Sequence, residues 1–266
     1  MREKKRVKVQ SLLMALVAFI FAGAAGEEAA AGSISFSAKA TYASKYVWRG
    51  YDVWNNNPAF MPDISLDMDG YYAGIWSAYS IEDGCVDPFG DVCSTWDEHD
   101  FYVGAYGALW DGSRGATEYD ISYTYFQFYR LRDVDNHEAL VTLAHPSLLG
   151  GLFETPPVFY WGVAYGQPVS GAAPSSLWLK AGLKYSLELP ASKAQMLVET
   201  FWDDGAGSFE APVGFSHVRV GGHLEFTAGG FTFKPSAYYI HALKQTDPET
   251  LLESEYWYEI LIGYGF

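Results

Sequence analysis

The segment Glu255–Phe266, EYWYEILIGYGF, carries the alternation that decides the fold. One set of alternate positions is wholly apolar or aromatic: Tyr256, Tyr258, Ile260, Ile262, Tyr264 and Phe266. The intervening positions carry charged residues and glycines. Successive side chains of a β-strand point to opposite faces of the sheet, so the segment predicts a strand with one apolar face. A strand of a soluble sandwich could show the same pattern, and the rest of the chain has to decide.

The same period of two recurs along the chain, as in FMPDISLDM at 60–68 and LWLKAGLKYSLEL at 177–189. About twelve such segments lie near 34–48, 59–68, 71–80, 99–109, 117–129, 137–144, 157–166, 176–189, 194–203, 215–227, 231–241 and 255–266. Most are close to the ~9–11 residues that cross a membrane as a tilted strand, whereas sandwich strands average about 5–6. The pattern therefore predicts an all-β fold, a transmembrane antiparallel up-and-down β-barrel of about 12 strands within residues 32–266.

The N-terminus predicts export. The basic stretch MREKKRVKVQ precedes the apolar run SLLMALVAFIFAGAA, which ends in small residues. This order is typical of a secretory signal peptide, here residues 1–24 with a cut after Ala24. Small residues continue to Ala31, so the cut site is open up to that position. An uncleaved anchor is the alternative, and the short apolar run argues against it.

The charge balance excludes one class of partner. The whole chain has a formal charge of −15, and the basic leader contributes a net +4, which leaves about −19 on the mature chain. Such acidity argues against nucleic acid. Aromatic residues reach 17% and hydrophobic residues 49%, which also excludes a disordered acidic chain.

The two cysteines, Cys85 and Cys93, lie in an acidic, turn-rich stretch. An exported chain meets an oxidising compartment, so we expect a disulfide across this loop. Two free thiols are the alternative, and a zinc site lacks further ligands nearby.

Charged side chains are destabilising on a lipid-facing surface, so the polar alternate positions should face inward. They predict these pore-lining residues: Lys39, Asp63, Asp67, Glu118, Asp120, Lys180, Lys184, Glu188, Glu199, His217, Arg219, His223, Glu225, Lys234, Glu255 and Glu259. They could line a path for small solutes or ions, with a cation preference because acids outnumber Lys and Arg. They could equally fill a plugged lumen, since twelve strands lie between filled eight-strand barrels and open sixteen-strand porins.

Two resemblances refine this interpretation. The end of the chain, with Ile262, Tyr264 and Phe266, resembles the assembly signal of bacterial outer-membrane barrels, which implies the barrel-assembly machinery as a partner. The stretch 41–80 resembles the opening of the TorF-type porin family. Its Tyr-x-x-Arg-Gly signature is matched by Tyr46, Arg49 and Gly50, and its Gly-x-Tyr-x-Gly-x-Trp by Gly70, Tyr72, Gly74 and Trp76. This resemblance implies a pore in the bacterial outer membrane, while the two-cysteine loop departs from it.

Two rival functions remain open. A structural or adhesin barrel would act through its outer loops, where acidic residues near the cysteines could bind Ca²⁺ or bridge divalent ions at the lipopolysaccharide surface: Glu82, Asp83, Asp87, Asp91, Asp97, Glu98 and Asp100. An outer-membrane lipid hydrolase would need Ser216 beside His217 or His223. However, the alternation predicts Ser216 outward and both histidines inward, paired with Glu225 or Glu259. No pattern implies a cofactor, and the expected partners are lipid, lipopolysaccharide, small solutes and a second copy of the chain.

Overall fold

The computed structural model describes residues 34–81, 97–110, 115–128, 135–150, 153, 155–170, 175–205, 213–243 and 254–265. The predicted signal peptide, Cys85, Cys93 and Phe266 lie outside these ranges. Among the described residues, no helix has the length and apolar character needed to span a bilayer.

Twelve long strands form one closed antiparallel barrel, as the alternation predicts. In chain order the strands are β1 (Ile34–Ala43), β2 (Val47–Trp48), β3 (Tyr51–Asp52), β4 (Ala59–Met68), β5 (Tyr71–Ser80), β6 (Glu98–Leu109), β7 (Thr117–Phe128), β8 (Asn136–His145), β9 (Val158–Pro168), β10 (Ser176–Leu189), β11 (Ser192–Asp203), β12 (Gly214–Ala228), β13 (Phe231–Ala242) and β14 (Glu255–Gly265). All except β2 and β3 belong to the barrel, and those two form a separate hairpin.

The barrel closes through β1, which pairs with β4 on one side and with β14 on the other. Lys39 of β1 lies opposite both Asp63 of β4 and Gly263 of β14. The side chains that face the lumen therefore stay in step across the strands where the barrel closes. Closure leaves no strand edge unpaired, which a β-structure needs in order to exist in lipid.

The outer surface is apolar. Large hydrophobic side chains are exposed on every barrel strand, including Ile64, Ile121, Val198 and Ile262. These positions belong to the alternate phase from the charged residues, as the strand period requires. A closed barrel with such a surface belongs in a bacterial outer membrane.

Connections differ between the two ends. At one end, two-residue turns join β4 to β5, β10 to β11 and β12 to β13, while 110–116 joins β6 to β7 and 146–157 joins β8 to β9. At the other end, all connections exceed two residues: 44–58, 81–97, 129–135, 169–175, 204–213 and 243–254. Outer-membrane barrels place their short turns in the periplasm and their long loops outside, so we refer to the second end as the outer end.

The first predicted strand, 34–48, is too long. β1 ends at Ala43, and the alternating aromatic residues that continue the pattern belong to the β2–β3 hairpin. Tyr46 and Trp54 are buried, whereas lipid-facing aromatic residues of the barrel are exposed. The alternation has the same period in both places, because it shows only that the chain is extended and has an apolar face. It does not show whether lipid or protein covers that face.

Candidate functional site

The sixteen polar residues assigned to the inward set share one face of the barrel. Lys180, Phe201 and His217 lie side by side across β10, β11 and β12, and Asp63, Trp76 and Asp100 do so across β4, β5 and β6. The same face carries Glu138 and Asp203, which contact the β2–β3 hairpin. The cross-strand register therefore places all sixteen on the lumen side. Their part in transport stays a prediction.

Carboxylates of β4 and β7 are held by tyrosine hydroxyls. Tyr102 donates to Asp63 at 2.6 Å and Tyr72 donates to Asp120 at 2.8 Å. A hydroxyl is neutral, so these hydrogen bonds orient the carboxylates without cancelling their charge. The nearest cation to Asp63 is Lys39, at 3.8 Å with a partly exposed side chain, which is a weak ion pair.

Glycines make room for these tyrosines. Tyr72 lies opposite Gly104, and Gly74 lies opposite Tyr102, on the neighbouring strands β5 and β6. A Cβ atom on either glycine would come within 2.3 Å of the facing tyrosine. The two rings therefore lie over the glycine backbone, which keeps their bulk against the wall and out of the lumen.

The opposite wall carries cations beside its acids. Arg219 of β12 is ion-paired with Glu199 of β11, and Tyr160 donates to the same carboxylate at 2.5 Å. Lys180 and Lys184 project from β10 into the same region, and in the described part of the chain neither has a carboxylate within 4.0 Å. The lumen thus has an acidic side on β4–β7 and a more basic side on β10–β12.

The β2–β3 hairpin turns at Arg49 and Gly50. Both adopt positive φ, 49° and 89°, as a tight hairpin turn between paired Trp48 and Tyr51 requires. A left-handed backbone costs a residue with a Cβ about 1–2 kcal/mol, so Arg49 is held there by its surroundings. Gly50 meets a second demand, because a Cβ atom would lie 2.6 Å from the ring of His217.

The side chain of Asp52 holds the segment that follows the hairpin through hydrogen bonds. The carboxylate of Asp52 accepts hydrogen bonds from the backbone N–H of Trp54 at 3.2 Å and of Asn56 at 2.6 Å. The N–H of Val53 donates to the carbonyl of Tyr46 at 2.8 Å, which extends the hairpin toward its base. The hairpin is therefore a hydrogen-bonded unit and not an irregular loop.

The base of the hairpin packs on the near wall. The rings of Tyr46 and Trp54 lie 4.8 Å apart, over the small residues Ala43, Ala59 and Ala78 of β1, β4 and β5. Tyr46 donates to Glu98 of β6, and burial raises the pKa of this phenol well above its usual value, so it keeps the proton that it donates.

The tip of the hairpin reaches the far wall. The guanidinium of Arg49 pairs with Glu138 of β8 and lies 4.4 Å from the ring centre of Trp48 and 4.9 Å from that of Trp178 on β10. The hydroxyl of Tyr51 is 3.4 Å from Asp203 of β11. In the strand order of the barrel, the seam between β1 and β4 lies diametrically opposite β9 and β10. The hairpin consequently spans the lumen near its outer end.

Ser216 departs from its predicted orientation. The register between β11 and β12 shifts at Phe201 and Trp202, which places an extra residue in β12. Ser216 is fully buried, where the alternation predicts a lipid-facing side chain, and its Oγ lies 2.9 Å from Nδ1 of His217. A β-bulge breaks the period of two at this point.

The surroundings of this pair lack features that a hydrolase site needs. Ser216 and His217 have no exposed surface, and the His217 ring stacks on Phe201 at 4.4 Å. Nε2 of His217, where a triad would place an orienting acid, has no hydrogen-bond partner among the described residues. The predicted partners of His217, Glu225 and Glu259, are thus wrong for this histidine.

Part of the predicted acidic loop belongs to the barrel wall. Glu98 and Asp100 lie on β6 with buried side chains, where the sequence interpretation placed them in an ion-binding loop. Glu82, Asp83, Asp87 and Asp91 fall outside the described residues, as do both cysteines. In the ranges that are described, no group of three His, Cys, Asp or Glu side chains is arranged to hold a metal ion.

The sequence interpretation missed the residues that seat the hairpin, namely Arg49, Glu138, Trp178 and Asp203. Arg49 and Gly50 were visible as part of the Tyr-x-x-Arg-Gly signature. Arg-Gly between aromatic residues fits a tight hairpin turn. The far-wall partners carry no local signal, because alternation alone marks them as inward.

Several known structures are similar to this chain. An outer membrane channel from Pseudomonas putida F1 matches with 8% identity and a TM-score of 0.50, over 88% of this chain and 96% of that chain. The NanC porin matches with 9% identity and a TM-score of 0.48, over 86% of this chain and 98% of that chain. OprD from Pseudomonas aeruginosa matches with 8% identity and a TM-score of 0.39, over 87% and 65%. No family model matches the chain, and no curated protein matches it. The likeness to the first of these structures is one of fold, that of a closed outer-membrane barrel.

Proposed function

We propose that the chain is an outer-membrane channel for passive diffusion of small solutes or ions, with a preference for cations. The observation that carries this proposal is the set of lumen carboxylates on β4 and β7 that are held by neutral hydroxyls, such as Asp67 and Asp120. A binding site for a specific anion would instead need these positions to be basic or neutral. A purely structural lumen would be expected to pair such acids with cations.

The charge of the whole chain supports the same preference. A narrow low-dielectric lumen focuses the field of its wall charges and concentrates counter-ions. That field reaches roughly 30 Å at 0.01 M salt but only about 3 Å at 1 M. We therefore expect the cation preference to be strongest in dilute salt and to fade as salt rises.

The test is a reversal potential across a planar bilayer in a KCl gradient. The protein should give a cation sign, and the variant with Asp63→Asn, Asp67→Asn, Glu118→Gln and Asp120→Asn should give a smaller potential. The matched control, Lys180→Gln with Lys184→Gln, should shift the potential in the opposite direction, since it removes cations from the facing wall. An anion sign would refute the acidic lumen, and an absence of conductance would favour a plugged barrel.

The TorF-type resemblance is part of this proposal. It covers the stretch 41–80, which contains both the hairpin and the Gly74 position over which Tyr102 lies.

We also propose lipopolysaccharide and lipid as the surroundings of the barrel, the barrel-assembly machinery as a transient partner, and self-association as an open alternative. Esterase activity of the purified protein is expected to be absent, because the Ser216–His217 pair is sealed beneath the hairpin.

A further inference from the structure

We propose that the β2–β3 hairpin is the constriction of the lumen, and that the clamp on Arg49 sets the size of solute that the channel admits. The inference rests on the proposed channel function. It attributes the upper size of the solutes that pass to one element, the hairpin, and to two contacts of Arg49, with Glu138 and with Trp178.

The first support is the path of the hairpin. It leaves the wall after β1 and returns before β4, two strands that are paired up to Ala43 and Ala59. Between these two paired residues, the chain crosses to side chains of β8, β10, β11 and β12. A two-stranded ribbon with side chains on both faces must occupy much of the cross-section of a twelve-strand barrel.

The second support is the fit of the tip. Arg49 is bound on three sides, by a carboxylate and by two indole rings, and an aromatic face attracts a guanidinium. Gly50 is the residue that lets the backbone approach His217. Trp48 and Tyr51 add aromatic contacts to the same wall, with ring centres 5.6 and 6.1 Å from that of Trp178. Arg49 supplies the ion pair of this attachment, and Gly50 allows its close approach.

The third support is that the barrel does not need the hairpin for closure. β1 and β4 pair over ten residues from Ile34–Met68 to Ala43–Ala59, and none of these pairs involves the hairpin. A short turn could therefore join Ala43 to Ala59 without changing the ladder. An element that closes no part of the wall yet spans the lumen is placed to restrict passage.

The experiment is a swelling assay on liposomes that contain the protein, with glucose and raffinose as neutral probes. Neutral sugars report the width of the path and are insensitive to the lumen charge. Arg49→Ala should release the tip, and a chain in which Gly-Ser-Gly replaces residues 45–57 should lack the constriction. Both should raise the raffinose rate about twofold or more, since a ribbon of this width fills much of a twelve-strand lumen.

Two controls separate the clamp from other effects. Lys45 lies in the same connection between β1 and β4 and pairs with Glu255 at the base of the hairpin, at 2.6 Å. Lys45→Ala removes this cation and should leave the raffinose rate unchanged. Arg49→Glu with Glu138→Arg rebuilds the ion pair in reverse and should restore part of the exclusion lost in Arg49→Ala. A heat-dependent shift of the band in SDS gels shows that each variant is a folded barrel.

The outcomes distinguish this inference from the channel function. If the unaltered protein conducts ions but the hairpin replacement admits raffinose no faster, the hairpin is not the constriction and the channel proposal stands. If neither the protein nor the replacement passes ions or sugars, both proposals fail. If Lys45→Ala and Arg49→Ala act equally, the clamp does not reside at Arg49.

Discussion

At the scale of single residues, Gly50 meets two demands at once. Its φ of 89° excludes most side chains, and its missing Cβ makes room for the His217 ring. Gly229 also has positive φ, 58°, but no atom lies within 4 Å of the place where its Cβ would be. Comparing the two glycines therefore separates the cost of a side chain at positive φ from the cost of a side chain in a tightly packed place.

We expect Gly50→Ala to lower the stability of the barrel more than Gly229→Ala. Positive φ alone costs about 1–2 kcal/mol in each, and only Gly50→Ala adds the overlap with His217. The temperature at which the folded band disappears in SDS gels measures the difference. Equal losses in the two variants would mean that the tip does not sit against His217.

A second prediction at the scale of single residues concerns the glycines over which the lumen tyrosines lie, Gly74 and Gly104. Gly104→Ala would place a Cβ atom 2.3 Å from the Tyr72 ring, so we expect the ring to swing into the lumen and to lose its hydrogen bond to Asp120. Single-channel conductance should fall, with little change in folding. Gly265→Ala is the matched control, because its nearest neighbour would be the Phe36 carbonyl oxygen at 3.8 Å. A conductance that stays at the unaltered value in Gly104→Ala would contradict the role assigned to the glycine.

At the scale of one element, the closing strand β14 carries the assembly prediction. Ile262 and Tyr264 are exposed on its lipid-facing side, while Trp257 and Gly263 face the lumen. Phe266 continues the exposed phase in the sequence, and its own position lies outside the described residues. Aromatic residues are favoured where a lipid-facing strand meets the membrane interface.

Deletion of Phe266 should slow insertion of the barrel into the outer membrane more than it lowers the stability of molecules already folded. Gly265→Ala again serves as the control, since it faces the lumen and lies outside the apolar stripe. The yield of heat-modifiable protein in outer-membrane fractions, followed over time after induction, measures assembly. An unchanged rate and yield would show that the terminal residue is not an assembly signal.

At the scale of the whole molecule, closure makes the barrel cooperative. Each of the twelve strands has two antiparallel neighbours, so unfolding has to break ladders on both sides of a strand. We expect unboiled protein in SDS to migrate differently from boiled protein, with a far-ultraviolet circular dichroism spectrum dominated by β-structure. A helical spectrum, or identical migration before and after boiling, would contradict the closed barrel.

The sequence by itself determined the strands and their two faces, because alternation is a local property of an extended chain. The pattern located eleven of the twelve barrel strands to within about two residues at most ends. Its assignment of Asp63, Lys180 and Arg219 to the pore lining stays a prediction. The pattern was wrong at Ser216, since a bulge inserts one residue and reverses the phase without any change in composition. It was also wrong at the end of β1, where the same alternation continues into a different element.

Only the tertiary structure decided what fills the lumen. Arg49 meets Glu138 across 89 residues of chain, and Tyr51 meets Asp203 across 152. No local pattern can indicate such contacts, because their partners become neighbours only once twelve strands have closed on themselves. The aromatic residues after Ala43 have an apolar character that suits lipid or a protein interior equally well. Barrel closure settles the choice, since the connection between β1 and β4 can bury those rings inside the lumen while the wall itself stays fully paired. Tyr46 and Trp54 lie against the near wall, and Trp48 and Tyr51 lie against the far wall.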